Sequence, residues 1–397
     1  MWQQLYAQRA RNSTRSAIRE ILKVTQQPDV ISFAGGLPAA ELFPIERIRH
    51  ATDVILSEQG RRALQYSVSE GLPELREWVA QRLSDAQVTV RPENVLITSG
   101  SQQGLDMLGQ LFLDEGDCIA VENPTYLGAL QAWRRFGLDY CCVSADANGM
   151  IVDELAQKLQ SVTPKLLYIP PNFQNPSGTT LSLSRRQQLI ALARQHQLPI
   201  IEDDAYGDLR YSGEPQPSLL TLDSQHTGQI DGTVIHVGTV SKILTPGLRV
   251  GWVVAPIPVI EKLVEFKQST DLHTNTLAQL IAIQLLSDGS LASHIDTLRT
   301  AYRERRNAML AALERYFPAT CRWTRPEGGM FLMVTLPEHM DSTDLLEKAV
   351  AQNVAFVPGS AFYLNGEGGN TLRLNFSNAQ PAQIEEGIGR LGHLLSQ

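Results

Sequence analysis

The spacing of apolar residues changes twice along the chain, and each change predicts a different kind of structure. From Ser16, SAIREILKVTQQ sets Ile18, Ile21, Leu22 and Thr25 at helical spacing, with Ser13 or Ser16 available as a cap, so an amphipathic helix is expected near the start. DVISFAGGLPAAELFP follows, a short apolar run broken by Gly35, Gly36, Pro38 and Pro44, which predicts a loop that covers a substrate and moves to admit it. Residues 45–83 are mainly helical by pattern. The interruption LQYSVSEGLPELREWV leaves Tyr66 in a loop before a helix beginning near Pro73.

From Val95 the pattern becomes short apolar runs alternating with helical stretches. VLITSG, CIAVEN, LDYCCV, KLLYIP, PIIEDD, TVIHVG and LRVGWVVA are the expected strands, separated by helices such as QQGLDMLGQLFL, YLGALQAWRRFG and SRRQQLIALARQHQ. This alternation predicts an α/β fold with a doubly wound, mostly parallel sheet. After about residue 285 the pattern shifts again, to a long charged helix containing AYRERRNAMLAALERYF, strand signals GGMFLMVTL, VAFVPG and TLRLNFS, and a closing helix IEEGIGRLGHLL. The expected division is 1–45, a helix and covering loop that join a small domain; 46–285, a large domain; and 286–397, the rest of the small α+β domain.

With 397 residues the chain can bury a sizeable core, and its net charge of -8 leaves no electrostatic footprint for nucleic acid or an acidic membrane. Small-molecule chemistry is the expectation. Cys118, Cys141, Cys142 and Cys321 lack C-x-x-C spacing and sit mostly in apolar runs, which predicts buried free thiols in a reducing compartment and no metal site. No apolar run reaches the roughly 18 residues of a membrane span. Arg9, Arg11, Arg15 and Arg19 without an acid have the character of a transit peptide, but a helix pattern begins inside that stretch, and a cytoplasmic location is expected.

The candidate chemistry sits where strands end, the place where open α/β sheets bind ligands. HVGTVSKILTPGLRVGW follows the strand Thr233 to Val237 and brings Thr239, Ser241, Lys242 and Arg249 together. It reads either as a strand-end loop with a solvated lysine or as an amine beside an anion, able to form a Schiff base. After VLIT, Ser101 and Gln102 open a helix whose start suits a phosphate. Tyr126 after CIAVENPT is a buried tyrosine or a platform for a flat ring; Asn175 lies in the turn NFQNPSG, free to donate its amide. Asp203 and Tyr206 end PIIEDDAY, and a carboxylate there needs a cationic partner. One ligand satisfies all of these groups: pyridoxal 5'-phosphate, with a ring nitrogen for Asp203, a phenolate oxygen for Asn175 and Tyr206, a phosphate and an aldehyde.

The order GSQQ, NPTY, FQNPSG, EDDAY, TVSK and PGLR resembles the pyridoxal-phosphate aminotransferases of fold type I, the aspartate-aminotransferase-like fold, over nearly the whole chain. STRSAIREILKVTQQPDVISFAGGLPAAELFP, LQYSVSEG and DLHT resemble the α-aminoadipate and kynurenine aminotransferase branch. The resemblance implies that Lys242 bonds the cofactor and Asp203 its ring nitrogen. Tyr126 would stack on the ring, and Ser101, Gln102, Thr239, Ser241 and Arg249 would hold the phosphate. Tyr66 would reach the neighbouring subunit's cofactor, which implies a homodimer with shared sites. Arg373 would grip the substrate α-carboxylate, with Asn175 and Gly36 lining the substrate site, and Arg19 would read a distal carboxylate; Arg373 and Arg19 also read as solvated charges. Thr239 stands where these relatives often have Ser. The implied activity moves an amino group from 2-aminoadipate, glutamate, leucine or an aromatic amino acid to a 2-oxo acid such as 2-oxoglutarate. A lyase or decarboxylase using the same groups is the alternative, together with a regulator fused to a winged helix, for which about a dozen residues before the first helix leave no room.

Overall fold

The computed structural model describes residues 1–12 and 29–396; the helix expected from Ser16, with Arg19, lies outside them. Ahead of that stretch stand two single-turn helices, Trp2–Leu5 and Gln8–Arg11, which the sequence pattern did not suggest. In chain order the strands are β1 (Ile31–Ser32), β2 (Val95–Thr98), β3 (Cys118–Asn123), β4 (Asp139–Asp146), β5 (Gly149–Met150), β6 (Leu166–Ile169) and β7 (Ile200–Asp204). Then follow β8 (Val234–Thr239), β9 (Gly251–Val254), β10 (Arg322–Trp323), β11 (Phe331–Thr335), β12 (Val354–Ala355), β13 (Val357–Pro358) and β14 (Thr371–Asn375).

Eight strands form one sheet in the order β2-β9-β8-β7-β6-β3-β4-β5. The run β8, β7, β6, β3, β4 is parallel, and β9 enters antiparallel between β8 and β2. Side chains alternate across it: Leu167 and Ile169 join the core under helices 45–63, 73–83, 183–196 and 276–287, while Leu166 and Tyr168 join the one under helices 101–112, 127–133 and 257–270. Both faces are therefore covered, which is why β6 reads as one unbroken apolar run. All four cysteines are free, but Cys118, the first residue of β3, and Cys142, on β4 beside the edge strand β5, are only partly buried.

A second sheet, β10-β11-β14-β13, packs against helices Leu291–Tyr316 and Pro381–Leu395 in a separate core. The run VAFVPG divides at Phe356, since β12 pairs with β1 whereas β13 pairs with β14. The β1–β12 pair ties the segment before Gly36 to this second sheet and sets its backbone across from the ends of β7 and β8.

Candidate active site

The parallel strands β3, β6, β7 and β8 end along one edge of the large sheet, and β9 begins there, with Gly251 beside Thr98 and Thr239. The chain leaving β8 turns at once into a short 3-10 helix, Val240–Lys242, because the Thr239 hydroxyl accepts the Ser241 N–H at 3.1 Å. This presents Lys242 Nζ to the carbonyl oxygen of Gly36, 3.2 Å away, and 5.9 Å from the centre of the Tyr206 ring. Burial, aided by the positive charges of Arg249 and Arg373, lowers the Lys242 ammonium to about 8. At neutral pH roughly one molecule in ten then holds the free amine that attack on a carbonyl requires.

Asp203 stands on β7, 5 % exposed. Its Oδ2 accepts the Tyr168 hydroxyl at 2.8 Å, and its Oδ1 is buried with no partner among the described residues. Burial raises the carboxyl to about 6; neighbouring Asp204 adds to the rise, while the Tyr168 bond and His236 oppose it. His236 Nδ1 lies 3.2 Å from the Glu202 carboxylate, which also accepts the N–H groups of Leu219 and Leu220 at 2.7 and 3.1 Å. That buried pair holds β7 and β8 to the helix that follows.

Arg373 comes from β14 in the other sheet. Its Nη1 donates to Asn175 Oδ1 at 2.8 Å and its Nη2 to the Ala34 carbonyl at 2.6 Å, while Nε is buried without a partner among the described residues. The guanidinium lies 4.3 Å from the centre of the Phe331 ring and 5.0 Å from that of Phe362, and burial lowers its pKa to about 10. The Asn175 amide also bonds the Tyr206 hydroxyl, which burial holds well above the usual tyrosine range. Three chain segments far apart in sequence thus meet at one guanidinium.

Between β2 and the helix Ser101–Phe112, Gly100 takes φ +78°, and a side chain there would run into Arg249. Arg249 Nη2 reaches the Ser99 carbonyl at 3.3 Å, and the Thr239 and Ser241 hydroxyls share a hydrogen bond of 2.8 Å. A helix start, two hydroxyls and a guanidinium make an anion cradle. The Gln102 side chain points elsewhere, donating to the Gly128 carbonyl at 2.7 Å, so its main-chain N–H is what it offers the cradle. Tyr126 precedes the helix Leu127–Trp133, and burial pushes its hydroxyl up to about 12. Tyr66 is not part of this cluster within one chain: it is 78 % exposed and touches His273 edge-on, ring centres 5.9 Å apart.

Residues 28–391 match the family model for aminotransferase class I and II. The chain belongs to the class I and II aminotransferases. It is 43 % identical to aromatic-amino-acid aminotransferase 1 of Thermococcus litoralis, over all of this chain and 95 % of that one. It is also 43 % identical to the 2-aminoadipate transaminase of Thermus thermophilus, over 99 % of this chain and 97 % of that one. The crystal structure of the Thermus thermophilus α-aminoadipate aminotransferase LysN, complexed with N-(5'-phosphopyridoxyl)-L-leucine, superposes with a TM-score of 0.93 at 42 % identity, covering 100 % of this chain and 98 % of that one.

The aminotransferase has the aspartate-aminotransferase-like fold type I and works with pyridoxal phosphate. Its own atoms fit that group, since the open Asp203 Oδ1 is an acceptor placed for a ring N–H and the cradle at Gly100 is shaped for an anion. Reading the sequence missed two buried polar residues, one bonded to Asp203 and one behind the start of helix Ser101–Phe112. Tyr168 sits in an unbroken apolar strand, where an aromatic ring signals core, and its one available signal was a hydroxyl that a buried tyrosine must satisfy. Lys267 lies in a helix of mixed polarity, IPVIEKLVEFKQST, and carries the surface signature of a solvated charge.

Proposed function

We propose that the aminotransferase takes acidic L-amino acids, 2-aminoadipate and glutamate, as donors and 2-oxoglutarate as acceptor, with leucine and aromatic amino acids as further donors. The observation that carries the amino-acid reading is Arg373, whose buried Nε has no partner among the described residues while its two other nitrogens are fixed by Asn175 and Ala34. The donor range draws on the relatives, whose names include both 2-aminoadipate and aromatic amino acids. Arg19 is assigned the distal carboxylate.

Bound pyridoxal phosphate supplies a sink for the electron pair left when Cα loses its proton. Lys242, its amine released by the incoming substrate, takes the Cα proton and returns it as an acid, a role suited to a group with a pKa of about 8. Asp203 keeps the ring nitrogen protonated, while Asn175 and Tyr206 bond the phenolate oxygen. Tyr126 stacks on the ring, and Ser101, Gln102, Thr239, Ser241 and Arg249 hold the phosphate. Arg373 orients donor and acceptor alike by their shared α-carboxylate, beside Gly36. Residues 1–45 and 286–397 act as the small domain, 46–285 as the large one.

The working form is assigned as a cytoplasmic homodimer in which Tyr66 of each chain reaches the other's phosphate. Leu64, Tyr66, Val68 and Leu272 are 74, 78, 50 and 53 % exposed, and the Tyr66–His273 contact joins their two loops into one apolar patch.

Single-turnover spectroscopy of the cofactor with each amino acid, for wild type and Arg19→Ala, tests the donor assignment. It stands if 2-aminoadipate and glutamate react fastest and the substitution slows them selectively. If leucine or aromatic donors dominate and Arg19→Ala is silent, the acidic preference is wrong.

A further inference from the structure

Behind the anion cradle lies a buried polar network that no step above uses. Lys267, 0 % exposed on helix Ile257–Thr270, donates to both oxygens of Asp271 at 2.8 and 2.9 Å and to Gln103 Oε1 at 3.0 Å. Gln103 Oε1 also accepts the main-chain N–H of Ser99 at 2.7 Å, and Gln103 Nε2 donates to Asp271 Oδ2 at 2.6 Å. A buried ammonium is costly, and among the described residues its side-chain partners are Asp271 and Gln103, the third residue of helix Ser101–Phe112, whose Oε1 also holds the Ser99 N–H of the turn before that helix.

On its other side the turn is pressed against β9. A side chain at Gly251 would run into the Gly100 carbonyl carbon and the Ser101 nitrogen. Ser99–Ser101 is therefore clamped between a strand and the Lys267–Asp271–Gln103 group, and its backbone has no slack where the cradle's N–H groups and the Arg249 contact must be placed. The Thr274 hydroxyl adds a bond of 3.2 Å to the Ile97 carbonyl in the strand that feeds the turn.

We propose that Lys267 and Gln103 are positioning residues for the phosphate cradle: without touching the cofactor, they fix the Ser99–Ser101 backbone in its anion-binding shape. The proposal rests on the cradle binding the cofactor's phosphate. Two probes separate the two ideas, because pyridoxal carries the aldehyde for Lys242 but no phosphate.

The experiment measures the dissociation constants of pyridoxal 5'-phosphate and of pyridoxal for apo wild type, Lys267→Met and Gln103→Met, read from the visible absorbance of the lysine-bound ring. Thermal melts of the apo proteins report folding. Both substitutions roughly keep volume, and Asp271, 28 % exposed, keeps access to water. The expected result is that each variant binds pyridoxal 5'-phosphate about 10- to 100-fold more weakly, the range set by loss of charge-assisted hydrogen bonds, and binds pyridoxal as wild type does. Equal weakening for both probes, or no weakening for either, overturns the proposal. If wild type itself binds both probes equally, the cradle assignment fails instead.

Discussion

The Tyr168 hydroxyl donates to Asp203 Oδ2 at 2.8 Å, from the neighbouring parallel strand and with both side chains buried. Among the described residues it is the one hydrogen bond to that carboxylate, so it both aims the group and favours its charged form. Tyr168→Phe should therefore let the Asp203 carboxyl rise further. We expect kcat/KM to fall about tenfold, as for loss of one hydrogen bond to a charged group, with the acid limb of its pH profile moved upward. An unchanged profile would show that the bond is only structural.

Asp203 also makes a prediction for the protein stripped of cofactor. Its folded-state carboxyl titrates near 6, above the ordinary value of about 3.9. Above pH 6 the charge is buried at a cost; as pH falls from 6 toward 4 the folded state takes up a proton before the unfolded state does, and stability is recovered. Asp203→Asn lacks this titration. The apo variant should be more stable than apo wild type at pH 7.5 by about 3 kcal/mol, and the gap should close toward pH 4. Denaturant unfolding of the two proteins at several pH values measures it.

Arg373→Lys preserves charge but removes the planar fork, which two hydrogen-bonded neighbours, Asn175 and Ala34, and two aromatic rings define. The loss in kcat/KM should be about 100-fold and nearly equal for glutamate, leucine and aromatic donors, because the α-carboxylate is common to all. A loss confined to acidic donors would place Arg373 at the distal carboxylate instead.

The sheet was legible because β3, β6, β7 and β8 are short apolar runs ended by polar residues, and the candidate residues lie just past those ends. What stayed hidden depends on long-range pairing. Nothing in LRVGWVVA says that β9 runs antiparallel between β8 and β2, yet that reversal brings Arg249 back to the edge where Lys242 lies. VAFVPG reads as one strand because its apolar run is continuous, whereas its two halves pair with β1 and β14. Lys267 looks like surface charge until helix Ile257–Thr270 is laid over Gln103. Gln102 was read as a phosphate ligand from its place at the helix start, but only the fold shows its side chain bonded to Gly128.

The account turns on Lys242 being the amine that bonds the cofactor. Borohydride reduction of the holo protein followed by peptide mass spectrometry reads this directly. The phosphopyridoxyl adduct should appear on the peptide containing Lys242, and Lys242→Ala should abolish it while leaving the fold intact. An adduct on Lys267 or any other lysine, or an undiminished adduct in Lys242→Ala, would contradict the account.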